Sequence, residues 1–175
     1  MHRSNALSRK YVYSLLSLPF AAVLVWWMLL PSGEYRLQIV EAKSDTVLWQ
    51  TKAEIGDDFS HRYIHSVELS PVIESFTIGD GGEIIAMESR TRSFGAGLPH
   101  VSKGVTELEG GYYVMKELHE PVGELHMQPS HLHLHTFHYG EQSLQLSEPP
   151  YTRTHLTIRV EQPSRWKVWT GVMMR

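Results

Sequence analysis

The sequence predicts an all-β fold, a small antiparallel β-sandwich or barrel-like domain, preceded by one N-terminal transmembrane helix. Two observations carry that expectation. Tyr11 to Leu30 is a run of twenty residues with no charged side chain. From Glu34 onward the chain breaks into short β-type runs separated by Gly, Pro, Asp and Ser, the spacing of antiparallel strands rather than of helices. Cysteine is absent, so neither disulfides nor a lipid-modified cysteine enters, and the domain must stand on its hydrophobic core.

As a helix, a run of that length spans roughly 30 Å, the thickness of a bilayer's hydrocarbon core. Arg3, Arg9 and Lys10 precede it and no acidic residue appears before Glu34. The positive-inside rule then leaves residues 1–10 in the cytoplasm as a basic N-terminus, makes 11–30 a signal anchor and exports 34–175. Tyr11 and Tyr13 at one end, with Trp26 and Trp27 at the other, suit the two interfaces, and a kink at Pro19 is tolerable in a bundle or bilayer. A cleaved signal peptide has the same basic start, but its apolar region is shorter and ends in small residues. Here the run ends in Trp-Trp-Met-Leu-Leu-Pro-Ser-Gly. A helix buried in a soluble core is the third reading.

The exported part carries 13 Lys and Arg against 19 Asp and Glu, a formal charge of −6. That balance argues against nucleic acid or an anionic surface as partner. Its length fits one domain with a sizeable core.

Candidate strands follow in order: Tyr35 to Glu41, Thr46 to Thr51, Ser60 to Val67, Val72 to Ile78, Glu83 to Thr91, Gly111 to Glu117, His131 to His138, Ser143 to Ser147, His155 to Val160 and Trp166 to Val172. Gly79-Asp80-Gly81-Gly82 and Gln162-Pro163-Ser164 supply turn chemistry between neighbours. In the last strand Trp166, Val168, Thr170 and Val172 alternate with Lys167, Trp169, Gly171 and Met173, a pattern that core packing explains.

Residues 62–78 read as a hairpin with Glu68-Leu69-Ser70-Pro71 as its loop. In that register Val67 faces Val72, His65 faces Glu74 and Tyr63 faces Phe76, all on one mostly apolar face. A carboxylate beside a partly buried imidazole can serve proton chemistry or ligand binding, or can pin the register as a structural pair. Ser66 points to the opposite face, which argues against a Ser66–His65 dyad. Ser93 to His100, with Gly95, Ala96, Gly97, Leu98 and Pro99, is a loop needing unusual backbone angles or a close approach, but it is no phosphate loop.

Ten histidines lie beyond residue 33. On a strand His131, His133 and His135 share one face and could ligate Zn or Cu, with His126 or His138 nearby. Alternate residues lie about 6.6 to 7 Å apart, so two of them share an ion more readily than three. A solvated polar strand face is the plainer reading.

His65-Ser66-Val67-Glu68, Pro71-Val72 with Glu74, and the Gly-Ala-Gly-Leu-Pro loop about twenty residues later resemble a bacterial family, domain of unknown function 1850. The resemblance covers Tyr35 to His100. It implies an accessory role beside the permease and solute receptor of TAXI-type tripartite ATP-independent periplasmic (TRAP) transporters, and it supplies no established catalytic activity, ligand or fold to carry over. Tyr63, His65, Ser66, Glu68, Glu74 and residues 95–99 are then the expected ligand- or partner-binding positions. Three functions are therefore expected in order: a non-enzymatic periplasmic accessory anchored in the bacterial cytoplasmic membrane, a metal-binding domain using the histidine row, and a hydrolase using His65 oriented by Glu74.

Overall fold

Strands form where side chains alternate between core and solvent, and the chain turns where glycine allows it. The computed structural model describes residues 19–93 and 104–171. They divide into two compact units, Tyr35–Glu161 and a smaller one made from the two chain ends.

The larger unit contains twelve strands among the described residues: β1 (Tyr35–Glu41), β2 (Thr46–Ala53), β3 (Asp58–Ile64), β4 (Pro71–Ile78), β5 (Ile84–Thr91), β6 (Val105–Glu109), β7 (Tyr112–Lys116), β8 (Glu120–Gly123), β9 (Leu125–Met127), β10 (His135–Tyr139), β11 (Gln142–Gln145) and β12 (Leu156–Glu161). They build two antiparallel sheets. The smaller has the order β2-β1-β12-β9 and the larger β11-β10-β3-β4-β5-β7-β6, with β8 also pairing β5. The expected all-β architecture of antiparallel sheets is what the chain adopts.

The inner faces of both sheets supply one core. Leu37, Ile39, Leu156 and Ile158 come from the small sheet, and Phe59, Phe76, Ile78, Ile84 and Phe137 from the large one. Phe137 is 1% exposed and meets Phe59 at 5.6 Å and Trp49 of the small sheet edge-on at 5.5 Å, a geometry aromatic quadrupoles favour. On the outer face of the small sheet the buried Gln38 is satisfied, donating to Gln50 and accepting from Arg159.

The turn at Gly79–Gly82 forms as expected. The Gly82 amide donates to the Gly79 carbonyl at 2.9 Å, and Gly82 sits at φ +81° where a Cβ would run into the Tyr35 ring. Only glycine satisfies both conditions.

Several expectations are corrected. β3 ends at Ile64 rather than Val67, and β10 begins at His135 rather than His131. β6, β8 and β9 were not expected, because they are three to five residues long and mostly exposed, which leaves little alternation to see. Trp166 to Val172 is not a strand. Arg165–Trp169 is a short helix, α2, in the smaller unit, and Val172 lies outside the described residues. Its Trp166 and Trp169 are 46% and 75% exposed, so core packing does not explain them. A five-residue helix has no stability of its own; it is held by the Arg165 amide donating to Leu30 and the Ser32 amide donating to Pro163, at 3.0 and 2.9 Å.

The other helix of that unit, α1, is described over residues 19–29. Among the described residues no helix is long and apolar enough to cross a membrane; residues 11–18, the first part of the expected span, lie outside them.

Phe137→Ala should destabilise the domain by about 3–5 kcal/mol, the cost of emptying a buried aromatic site. Urea unfolding followed by circular dichroism reads it, and a loss below about 1 kcal/mol would remove Phe137 from the centre of the core.

Candidate functional site

Along the inner face of the large sheet the apolar core gives way to polar side chains at the end where β3 runs into its loop. β3 lies between β10 and β4, with His61 opposite Phe137 and Glu74, and Tyr63 opposite His135 and Val72. Glu74 in turn faces Ser89, and Val72 faces Thr91, on β5. Opposed residues in antiparallel strands share a face, so His61, Tyr63, Glu74, Ser89, Thr91 and His135 form one polar group directly above Phe59, Phe76 and Phe137.

The three rings of that group stack. Centroids of His61 and Tyr63 are 4.9 Å apart, those of His61 and His135 5.5 Å, and those of Tyr63 and His135 5.7 Å. His61 Nε2 lies 3.4 Å from His135 Nδ1, so one of the two nitrogens carries the proton and the other the lone pair. Burial, and then the neighbouring imidazole of His135, lower the His61 pKa to about 3. Burial, and then His133, also lower that of His135. Both rings are neutral at ordinary pH. Burial raises the Glu74 carboxyl above its usual range, and burial together with Glu74 raises the Tyr63 phenol. Perturbed carboxyl, imidazole and phenol groups side by side are typical of functional sites, although structural networks do the same.

The expected opposition of His65 and Glu74 is not formed. The register is displaced by four residues, so Glu74 stands across from His61. A shift of four preserves the two-residue alternation, which is why Tyr63, Val72, Glu74 and Phe76 still share the expected face. His65 instead organises the loop. Its Nδ1 accepts from the Val67 and Glu68 amides at 3.4 and 3.2 Å, its carbonyl accepts from Leu69 at 2.8 Å, and its amide donates to Ser70 at 2.9 Å. Sequence reasoning overlooked His61. The signal was present, since it stands two and four residues before Tyr63 and His65 on one strand face.

Ser66 is exposed in this loop. Glu68 accepts a hydrogen bond from Ser93 Oγ at 2.8 Å, and the Arg92 guanidinium lies 4.7 Å over the Tyr112 ring. The residue leading into the Gly-Ala-Gly-Leu-Pro segment is thus tied to the β3–β4 loop. Gly95, Ala96, Gly97, Leu98 and Pro99 lie outside the described residues.

The histidine row is dispersed. His131 accepts from Arg153 Nε at 3.2 Å, His135 meets His61, His126 pairs with Thr157 at 3.1 Å, and His138 faces the other side of the sheet beside Ser60. Of His131, His133 and His135 only His135 belongs to a strand, so the shared strand face that would have gathered the three is missing. Among the described residues no group of three or more His, Asp or Glu is gathered to hold a metal ion. On the outer face, Ser60, Ser75, Glu88 and His138 line an open recess of about 510 Å³.

The profile of one protein family, described as a domain of unknown function (DUF1850), matches residues 59–146, just over half of the chain. The chain belongs to the DUF1850 family. No curated protein and no solved structure matches it. The match begins at Phe59 in β3 and runs through β11, so the DUF1850 region takes in the whole ring stack and extends well past His100, where the resemblance had ended. The small sheet, apart from β9, falls outside it.

The His61 shift has a measurable sign. Its folded pKa lies below the unfolded value of 6.5, so as pH falls below 6.5 the unfolded state takes up the proton first and stability drops. The loss attributable to His61 approaches about 1.4 kcal/mol per pH unit between there and the folded pKa. Glu74 acts oppositely, its raised pKa favouring the folded state as pH falls through the window above 4.5. Unfolding free energies of wild type and His61→Gln from pH 7 to about pH 4 isolate the histidine: the acid-side slope should flatten in the variant, and parallel curves would refute a neutral buried His61.

Proposed function

We propose that this DUF1850 protein is a non-enzymatic accessory, anchored in the bacterial cytoplasmic membrane with its β domain in the periplasm, that docks on a TAXI-type TRAP transporter. The loops at the ring-stack end of the large sheet form the contact with the permease or the solute receptor. The anchoring half of this reading is supported by the uncharged run at 11–30 with its basic flank.

The observation that carries the docking half is a set of exposed apolar side chains on two adjoining loops. Val67 and Leu69 are both 68% exposed in the β3–β4 loop, and Leu132 and Leu134 are 73% and 47% exposed in the segment before β10. The Ile64 amide donates to the Leu134 carbonyl at 3.1 Å, holding the two loops together. Leu69 also sits at φ +50°, a left-handed conformation costing a non-glycine residue about 1–2 kcal/mol. A bulky apolar side chain held outward on strained backbone is disfavoured for the isolated fold, and such strain is characteristic of binding loops. Covering these side chains would regain on the order of 1–2 kcal/mol each, and Glu68 connects this surface to the segment that carries the family's glycine-rich loop.

Purification from detergent at native expression should bring down the permease or the receptor. Leu69→Gly should separate fold from contact, relieving strain and stabilising the domain by up to about 1 kcal/mol while reducing partner recovery several-fold. Recovery of the free protein alone from wild-type cells would overturn the proposal, and undiminished recovery with Leu69→Gly would remove the loop from the interface.

A further inference from the structure

Four of the chain's five tryptophans belong to the small unit at the chain ends. Trp26, Trp27, Trp166 and Trp169 are 64%, 52%, 46% and 75% exposed. The fifth, Trp49, packs against the core of the β domain. Indoles combine a large apolar body with one N–H donor, and the environment that satisfies both is the headgroup region of a bilayer.

These tryptophans come from distant parts of the sequence but are fastened together. Pro31 forms an isolated β-bridge with Ser164, and the Leu30 carbonyl accepts from Arg165. α2 is therefore fixed at the level of Leu30, where the uncharged run ends. The Arg165 guanidinium lies 4.7 Å over the Trp27 ring, and Trp166 and Trp169, three apart on α2, have centroids 5.8 Å apart. Beside them is a recess of about 520 Å³ with two kinds of wall. Trp27, Met28, Val168 and Trp169 are apolar, whereas Ser32, Glu34 and Arg165 are polar or charged. A ligand that fits both walls is amphipathic; Arg165 favours an anionic oxygen within it, and the Glu34 carboxylate on the same wall favours a cationic group to accompany that oxygen, as in a zwitterionic headgroup.

We propose that α2 is a second membrane contact, lying in the headgroup region next to the end of the anchor, and that this recess receives the phosphate and glycerol portion of a phospholipid. The inference rests on the anchoring reading above. Its physical basis is continuity: the apolar run leads directly into the aromatic group, and the basic Arg165 and Lys167 stand where phosphates are met. An aromatic and basic helix of this kind lies in the interface rather than across it.

Two tryptophan-reduced forms of the full chain test this in phosphatidylcholine vesicles whose acyl chains carry bromine near the headgroup end. Trp26→Phe with Trp27→Phe and Trp49→Phe leaves Trp166 and Trp169 as reporters, while Trp49→Phe with Trp166→Phe and Trp169→Phe leaves the anchor pair. Both should lose about half or more of their emission relative to unbrominated vesicles, as interfacial indoles do, and Arg165→Glu should weaken quenching of the α2 pair alone. Quenching of the anchor pair with an unquenched α2 pair overturns this proposal and leaves the anchor intact. If neither pair is quenched, the anchoring reading fails and this inference fails with it.

Discussion

His61, Tyr63, Glu74 and His135 of the candidate site take their mutual positions from the alignment of β3 between β10 and β4. That alignment is set in the apolar half of the face, where Phe59 stacks on Phe76 at 5.1 Å and Phe137 packs beside Phe59. Rings of this size tolerate no displacement along the strand without losing their burial. Once they are seated, strand periodicity places His61 opposite Glu74 and Tyr63 opposite His135. The polar group is thus positioned by contacts it does not itself make.

The same alignment brings β3 to its end at Ile64 and leaves six residues to reach Pro71. Those residues are too many for a tight turn, and the loop closes around a side chain instead, with His65 accepting two backbone amides. The resulting conformation turns Val67 and Leu69 outward. A ring stack built on the buried His61 and an exposed apolar loop are therefore two consequences of one register.

The chain ends are governed by a different balance. α2 is five residues long, the four indoles face outward, and backbone bonds between residues 30–32 and 163–165 hold the two ends together. Among the described residues α2 buries no side chain, and the four tryptophans of the unit stay largely open to the surroundings.

The sequence alone located most of the longer strands and the faces they bury, but not β6, β8 and β9, and it expected a strand at Trp166 to Val172 where Arg165–Trp169 is helical. Alternation located β1, β4 and β5 almost to their ends, the glycine turn at 79–82 was legible, and the mixed polar and apolar face of the hairpin was read with the correct set of residues on β4. These features are local, because period-two alternation and positive-φ glycines leave their mark residue by residue. Tertiary structure decided what depends on distant chain. Whether Glu74 meets His61 or His65 is fixed by aromatic packing that involves β10, more than sixty residues away. Whether Trp166–Trp169 is strand or helix is fixed by bonds to Leu30 and Ser32. A run that alternates for a few residues fits either form, and only the partner it meets selects one. The opening expectation of an all-β domain therefore stood, while the identity of its central His–Glu pair and the role of its last tryptophans did not follow from sequence.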